Sequence, residues 1–320
     1  MNFRTVSDLT KTIMKKIDII PSDIDLIVGI PRSGLLVANY IALLLNKPIT
    51  DVEGLIDDRI ISSGRTKNTS LNKRSVANCR KVLVVDDSVA SGESLIECKK
   101  KLQGINEHIQ IIYCAIYVLA SSKSMVDIYF EILDDPRLFE WNIFHQVKML
   151  KRMCFDIDGV LCADPTFQQN DDAENYLSFI RNAETKIIPS GTIGSIVTSR
   201  LEKYREDTEI WMKKNGISYD NLVMLNATAE ERQKNNLHAR FKATYYKNSD
   251  CILFIESEER QAIEINNITG KPVYCTENCK YYSGDKIYTI RYETNSKIRG
   301  FLRRFKFLRV IYTKLKQKGI

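Results

Sequence analysis

Apolar residues in this chain fall in short, nearly unbroken runs separated by polar turns and helix-spaced stretches. The runs at residues 24–30, 82–85, 109–119 and 126–133 predict strands that are apolar at consecutive positions, as in a parallel sheet covered on both faces. Helical spacing fills residues 8–17, with Ser7 as the expected N-cap, and residues 35–45. A second series follows, with strands expected at 153–157, 195–198, 222–225 and 251–255 and helices near 173–183 and 201–215. Strands alternating with helices predict an α/β chain. The restart near Leu150 divides it into domains at 1–148 and 149–296. The last stretch, 297–320, repeats Ile298, Phe301, Leu302, Phe305, Leu308, Tyr312 and Leu315 at helical spacing with a basic opposite face.

Length and composition agree with two ordinary cores: 320 residues, 44% hydrophobic and 27% charged. The net charge of +7 is concentrated, because residues 297–320 hold nine Lys/Arg and no acid, and the remainder sums to −2. Such a helix suits an anionic membrane surface, with nucleic acid as the rival partner and docking on its own domain as the plainer alternative. The eight cysteines are scattered, several in strand-like runs, and read as small buried hydrophobes; Cys251, Cys275 and Cys279 lack the second close-spaced pair a zinc site needs. The polar start of the chain carries no signal peptide pattern, and no run is long and apolar enough to span a bilayer, so a cytoplasmic setting is expected, peripheral to the membrane if the tail binds it.

The chemistry concentrates at strand ends. In KVLVVDDSVASGESL, Lys81 to Leu95, a buried strand leads to the adjacent carboxylates Asp86 and Asp87, then to the small-residue turn Ala90, Ser91, Gly92, then through Glu93 and Ser94 into a helix. Backbone amides there close around an anion, aided by the positive end of the helix dipole and two hydroxyls. The carboxylate pair accepts hydrogen bonds from two sugar hydroxyls, so the stretch outlines a site for ribose 5-phosphate. It resembles the 5-phosphoribosyl 1-pyrophosphate (PRPP) motif of type I phosphoribosyltransferases at every position from Val82 to Ser94. The strand at 24–30 runs into Pro31-Arg32-Ser33-Gly34, where Arg32 supplies a bidentate cation and Gly34 permits close backbone approach. In that family the place is the pyrophosphate loop. The polar stretch 57–75, with Arg59, Arg65, Lys67, Lys73 and Arg74, corresponds to the mobile loop that closes over pyrophosphate, with the cation that makes the contact left open. The residues around Trp141 are either part of an acceptor hood or a connection with a buried Trp. The resemblance implies PRPP as donor, with Arg32, loop cations and Mg²⁺ stabilising the departing diphosphate.

The second series starts with a strand ending in Asp156-Ile157-Asp158-Gly159, whose two carboxylates share one strand face. It resembles the first motif of the haloacid dehalogenase (HAD) phosphatase superfamily. Thr198, Lys242 and Glu256 stand where the remaining motifs belong, in order, with Lys247 a rival for Lys242 and Glu where Asp is commoner. The resemblance implies Asp156 as nucleophile, Asp158 as proton donor and then base, Thr198 and Lys242 as phosphoryl binders, and Mg²⁺ on Asp156, the Asp158 carbonyl and Glu256. Arg200 and Arg205 are candidates for gripping the substrate. The gaps between motifs hold no large cap domain, which suits a phosphate on the end of something large. The expected fold is therefore a type I phosphoribosyltransferase-like parallel sheet followed by a HAD-like Rossmannoid domain without a large cap.

The whole chain resembles fused phosphoribosyltransferase–HAD proteins of bacterial capsule and O-antigen gene clusters. That implies transfer of 5-phosphoribosyl to a glycan acceptor on a lipid carrier, then removal of the 5-phosphate to leave a β-ribofuranosyl group. A nucleobase transferase joined to a nucleotidase, and a PRPP-binding regulator, are the alternatives. Nucleic acid is not the expected partner.

Overall fold

The computed structural model describes residues 1–61, 75–105 and 108–284. Most of the expected pyrophosphate-covering loop and the whole basic tail lie outside the described residues. The chain divides into two compact units, Met1–Ile143 and Phe144–Ile320, where the sequence placed the division at 148/149.

The first unit opens with β1 (Asn2–Arg4) and α1 (Val6–Lys15). The N-cap is Thr5 rather than Ser7, because Thr5 and Asp8 form a reciprocal capping box that satisfies two end amides at once. There follow β2 (Leu26–Gly29), α2 (Gly34–Leu45), β3 (Ile49–Asp51), α3 (Val52–Ile56), β4 (Lys81–Val89), α4 (Glu93–Lys101), β5 (Gln110–Val118), β6 (Ile128–Ile132) and β7 (Arg137–Phe139). A five-stranded sheet in the order β3-β2-β4-β5-β6 is parallel throughout. Alternation along β4 explains both cores. Leu83 and Val85 join Leu9 and Ile13 of α1 and Val37 and Ile41 of α2, while Val82 and Val84 join Val52 and Leu55 of α3 and Leu95 and Cys98 of α4. β1 and β7 pair in a separate two-stranded parallel sheet, which the sequence reading did not foresee.

The second unit runs α5 (Val147–Leu150), β8 (Met153–Phe155), α6 (Glu174–Asn182), β9 (Ile193–Leu201), α7 (Arg205–Lys214), β10 (Tyr219–Leu225), α8 (Ala229–Lys234), α9 (Leu237–Asn248), β11 (Leu253–Glu256), α10 (Glu259–Thr269), β12 (Val273–Cys275) and β13 (Lys280–Tyr282). Its sheet order is β10-β9-β8-β11-β12-β13, parallel except for the last strand. β8, at the centre, is the shortest route into the core: Met153, Cys154 and Phe155 are all fully buried. Helices α9 and α10 cover one face through Ala239, Ala243, Tyr246, Ala262 and Ile265. Among the described residues no helix is long and apolar enough to cross a membrane.

Candidate active sites

In the first unit, β2 stops short of β4. Gly29 is the last residue paired with β4, opposite Val85, and the chain then turns away through residues 30–33 while β4 continues through Asp86 and Asp87. The carboxylate pair thus lies within the strand rather than after it, held on one side by β5 through the Asp86–Ala115 register. Both are buried, at 8% and 3% exposure. Gly34 begins α2 directly against them: a Cβ there would meet the Val85 carbonyl oxygen at 2.8 Å and Asp86 Oδ1 at 3.1 Å. The expected pyrophosphate loop and the acidic pair are joined by a hydrogen bond, since the Ser33 hydroxyl donates to Asp87 Oδ1 at 2.6 Å. The other Asp87 oxygen accepts the Trp141 indole N–H at 2.8 Å. Burial, and after it the charge of Asp87, raises the pKa of Asp86 well above the carboxylate range.

Beyond the pair, Gly92 is the N-cap of α4 in the left-handed region, at φ 78°, and no side chain caps the helix. The first-turn amides therefore face out unsatisfied by their own helix, as an anion site requires. Ala90, Ser91, Glu93 and Ser94 are exposed beside it, and Arg32 is exposed on its own loop. Of the basic residues in the 57–75 stretch, Arg59 is described, and it is paired with Asp51 at 2.9 Å; Arg65, Lys67, Lys73 and Arg74 lie outside the described residues.

In the second unit Asp156 and Asp158 follow β8, Glu256 ends β11, Thr198 lies in β9 between them and β10, and Lys242 comes from α9. Lys242, fully buried on α9, donates to Asp156 Oδ2 at 2.5 Å, Glu256 Oε2 at 2.8 Å and Gln261 Oε1 at 2.9 Å. Burial alone would lower its pKa; the facing Asp156 and Glu256 carboxylates outweigh that and raise it, so the lysine stays charged. Lys247, the rival, is exposed. Glu256 is fully buried and does not line the cavity: its second oxygen accepts the Ser257 and Glu258 amides at 2.9 and 3.3 Å. Thr198 is also buried, and its hydroxyl accepts the Arg200 amide at 3.2 Å. Asp158 is clamped by Arg200, whose Nη2 approaches to 2.6 Å, and by the Tyr176 hydroxyl at 3.0 Å. Burial pushes Asp158 up, but the Arg200 charge and the hydrogen bonds from Arg200, Cys162 and Tyr176 win and hold it below its usual range. A carboxylate so held suits the proton-accepting half of its expected role and opposes the donating half. Arg205, by contrast, pairs with Glu202 just before α7 and with Glu209 within it, and is not part of the cavity lining.

The cavity at this site measures about 660 Å³ and is lined by Asp156, Asp158, Lys242 and Arg200 together with residues sequence reasoning missed: Tyr176, Arg232 and His238. Asp164 also lines it, and burial together with the charges of Asp158 and Asp156 raises its pKa against the pull of Lys186. That crowding of negative charge fits a hard cation, as does the all-oxygen donor set of the Asp156 carboxylate and the Asp158 carbonyl. Among the described residues no three His, Cys, Asp or Glu side chains gather as a metal cage. Mg²⁺ needs none, since it binds one or two carboxylates and keeps its water.

Residues 3–151 match the family model of the phosphoribosyl transferase domain. The N-terminal part of the chain has the type I phosphoribosyltransferase fold, a mixed α/β arrangement around a parallel sheet. Among solved structures, the chain is similar to the Helicobacter pylori xanthine-guanine-hypoxanthine phosphoribosyltransferase, at 17% identity and TM-score 0.32, covering 44% of this chain and 92% of that one. It is similar to a purine phosphoribosyltransferase from Pyrococcus horikoshii Ot3 at 16% identity and TM-score 0.32, with the same coverages of 44% and 92%. It also resembles the Saccharomyces cerevisiae adenine phosphoribosyltransferase at 19% identity and TM-score 0.26, covering 40% and 78%. No curated protein matches the chain.

Proposed function

We propose that the chain is a bifunctional enzyme that transfers 5-phosphoribosyl from PRPP to a glycan acceptor hydroxyl and then removes the 5-phosphate. The observation that carries this reading is Lys242 bridging Asp156 and Glu256 in a chain whose N-terminal part has the phosphoribosyltransferase fold. In the first unit Asp86 and Asp87 hold the ribose hydroxyls, and the free amides at the start of α4 hold the 5-phosphate. Arg32 meets the pyrophosphate, and the acceptor hydroxyl attacks C1 as the C1–oxygen bond to the diphosphate breaks, so that diphosphate leaves and the hydroxyl proton passes to solvent. In the second unit Asp156 attacks phosphorus to form an aspartyl phosphate while Lys242 neutralises the phosphoryl oxygens. The sugar oxygen leaves and takes a proton from solvent, and Asp158, kept ionised by Arg200, then takes the proton of the water that attacks the aspartyl phosphate and releases phosphate. Mg²⁺, when held by Asp156 and the Asp158 carbonyl, adds positive charge where the phosphoryl group becomes more negative. A lipid-linked acceptor at the cytoplasmic face of a membrane suits the basic segment 297–320.

The test is incubation of the full chain with PRPP, Mg²⁺ and a ribose-containing polysaccharide acceptor, read by mass spectrometry. The expected product carries ribose without phosphate, and Asp156→Asn stops at the phosphorylated form. A second reading, transfer to a nucleobase, is favoured by the aromatic stack beside the carboxylates. Tyr117, Phe139 and Trp141 stack with the half-buried Trp141 nearest Asp87, a flat surface that suits a planar acceptor. An untouched glycan together with formation of a nucleotide from a base and PRPP selects that reading.

A further inference from the structure

The cavity of the second unit extends beyond the Asp156 end. At about 660 Å³ it lies within the range of small-molecule sites and holds more than a phosphate group. Part of its wall comes from Ser199, Arg232 and His238. Arg232, on α8, is 5% exposed. Its Nη2 binds both oxygens of Asp172, at 2.6 and 2.8 Å, and its Nη1 donates to the Ser199 carbonyl at 3.1 Å. Its Nε–H is buried with no partner among the described residues. An orphaned buried donor costs about 1–3 kcal/mol, so an acceptor that reaches it is favoured by about that much.

The charge of this wall is already cancelled. Asp172 neutralises Arg232 through the bidentate pair. His238 lies with Nδ1 3.1 Å from the Ser199 hydroxyl. Burial, and after it the charges of Arg232 and Lys242, pushes its pKa down to about 4, so the ring is neutral near pH 7 and offers one donor and one acceptor nitrogen. Hydrogen-bonding capacity without net charge is what a sugar hydroxyl needs, and Arg232, paired with Asp172, and the neutral His238 offer it.

We propose that Arg232, Ser199 and His238 form a subsite for the hydroxyl groups of a neutral sugar esterified to the phosphate that Asp156 attacks. This rests on the phosphatase reading of the same cavity and narrows its substrate class to sugar phosphates whose sugar is uncharged. The hydroxyl accepts from Arg232 Nε–H and exchanges a second hydrogen bond with Ser199 or His238.

The test uses the full chain carrying Asp156→Asn, so that the probes stay intact, titrated calorimetrically in Mg²⁺ with ribose 5-phosphate and with phenyl phosphate, which has no hydroxyl. Binding at the first unit is common to parent and variants and cancels in the comparison. Adding Arg232→Lys, which keeps a cation for Asp172, is expected to weaken ribose 5-phosphate roughly ten-fold and leave phenyl phosphate unchanged. Ser199→Ala, which is the milder change for folding, gives a smaller loss of the same selectivity. Equal weakening of both probes by Arg232→Lys, or no selective loss in either variant, overturns the proposal, as does a parent that binds neither probe. Hydrolysis of ribose 5-phosphate by the chain with Asp156 intact tests the phosphatase reading separately. Selective, Arg232-dependent binding without hydrolysis keeps the subsite and removes that reading.

Discussion

Trp141 donates its indole N–H to Asp87 at 2.8 Å, across 54 residues of sequence. With Ser33 on the other oxygen, the carboxylate is fixed from two sides before any sugar arrives. Trp141→Phe keeps the stack on Phe139 but loses a hydrogen bond to a buried charge, a loss on the order of 1.5–3 kcal/mol. Melting curves are expected to fall by several degrees, and calorimetry with PRPP to show weaker binding, because the carboxylate is no longer held in place before the sugar arrives.

Asp86 yields a pH dependence with a definite sign. Its folded pKa is raised by burial and by Asp87, above an unfolded value of about 3.9. The folded state therefore holds the proton where the unfolded state has lost it, and stability falls as pH climbs from about 4 through the raised folded value. Asp86→Asn removes that slope. Melting curves across this window should show the variant gaining on the parent by a few degrees toward neutral pH, while PRPP binding is lost. Parallel curves for the two proteins contradict the assignment.

Gly34 touches the same pair from below. Gly34→Ala drives a methyl group to within 3 Å of the Val85 carbonyl, so either β4 or the start of α2 must shift. Loss of transferase activity by about ten-fold or more, with the phosphatase activity proposed for the second unit intact, is the expected pattern in parallel assays.

Lys242→Met leaves Asp156 and Glu256 buried without their shared cation. The expected cost is about 3–5 kcal/mol in denaturant titrations that follow Trp211 fluorescence in the second unit, together with loss of phosphatase activity. Lys247→Met, on the exposed side of the same helix, should be neutral in both measurements. Equal effects from the two variants refute the role given to Lys242.

The sequence made local features legible. Strand runs, the acidic pair and the Asp156 turn depend on neighbours within a few residues, so their patterns are written in one stretch. Lys242, Asp156 and Glu256 come from separate stretches, and the resemblance in motif order brought them together. What stayed hidden depends on distant packing. Trp141 reaches Asp87 because β7 pairs with β1, and three-residue strands leave too short an apolar run to recognise. Arg232 reads as one more charge on a polar helix until Asp172, 60 residues away, pulls it inside. The clamp of Arg200 on Asp158 likewise spans 42 residues, and no spacing rule announces it. The Ser7 expectation failed for a local reason: two cap candidates two residues apart compete, and the one with an acid three residues on prevails.

The pairing of Asn2–Arg4 with Arg137–Phe139 has a consequence for how the first site comes into being. Trp141 lies just past β7, so its hold on Asp87 waits on a strand partner more than 130 residues upstream in the order of synthesis. The parallel sheet around Asp86 and Asp87 can assemble while the chain is still being made, but the carboxylate is locked only when the two ends of the unit meet. Such long-range closure comes late in folding. A nascent chain thus holds an acidic pair with one side still loose until β7 and Trp141 have been made.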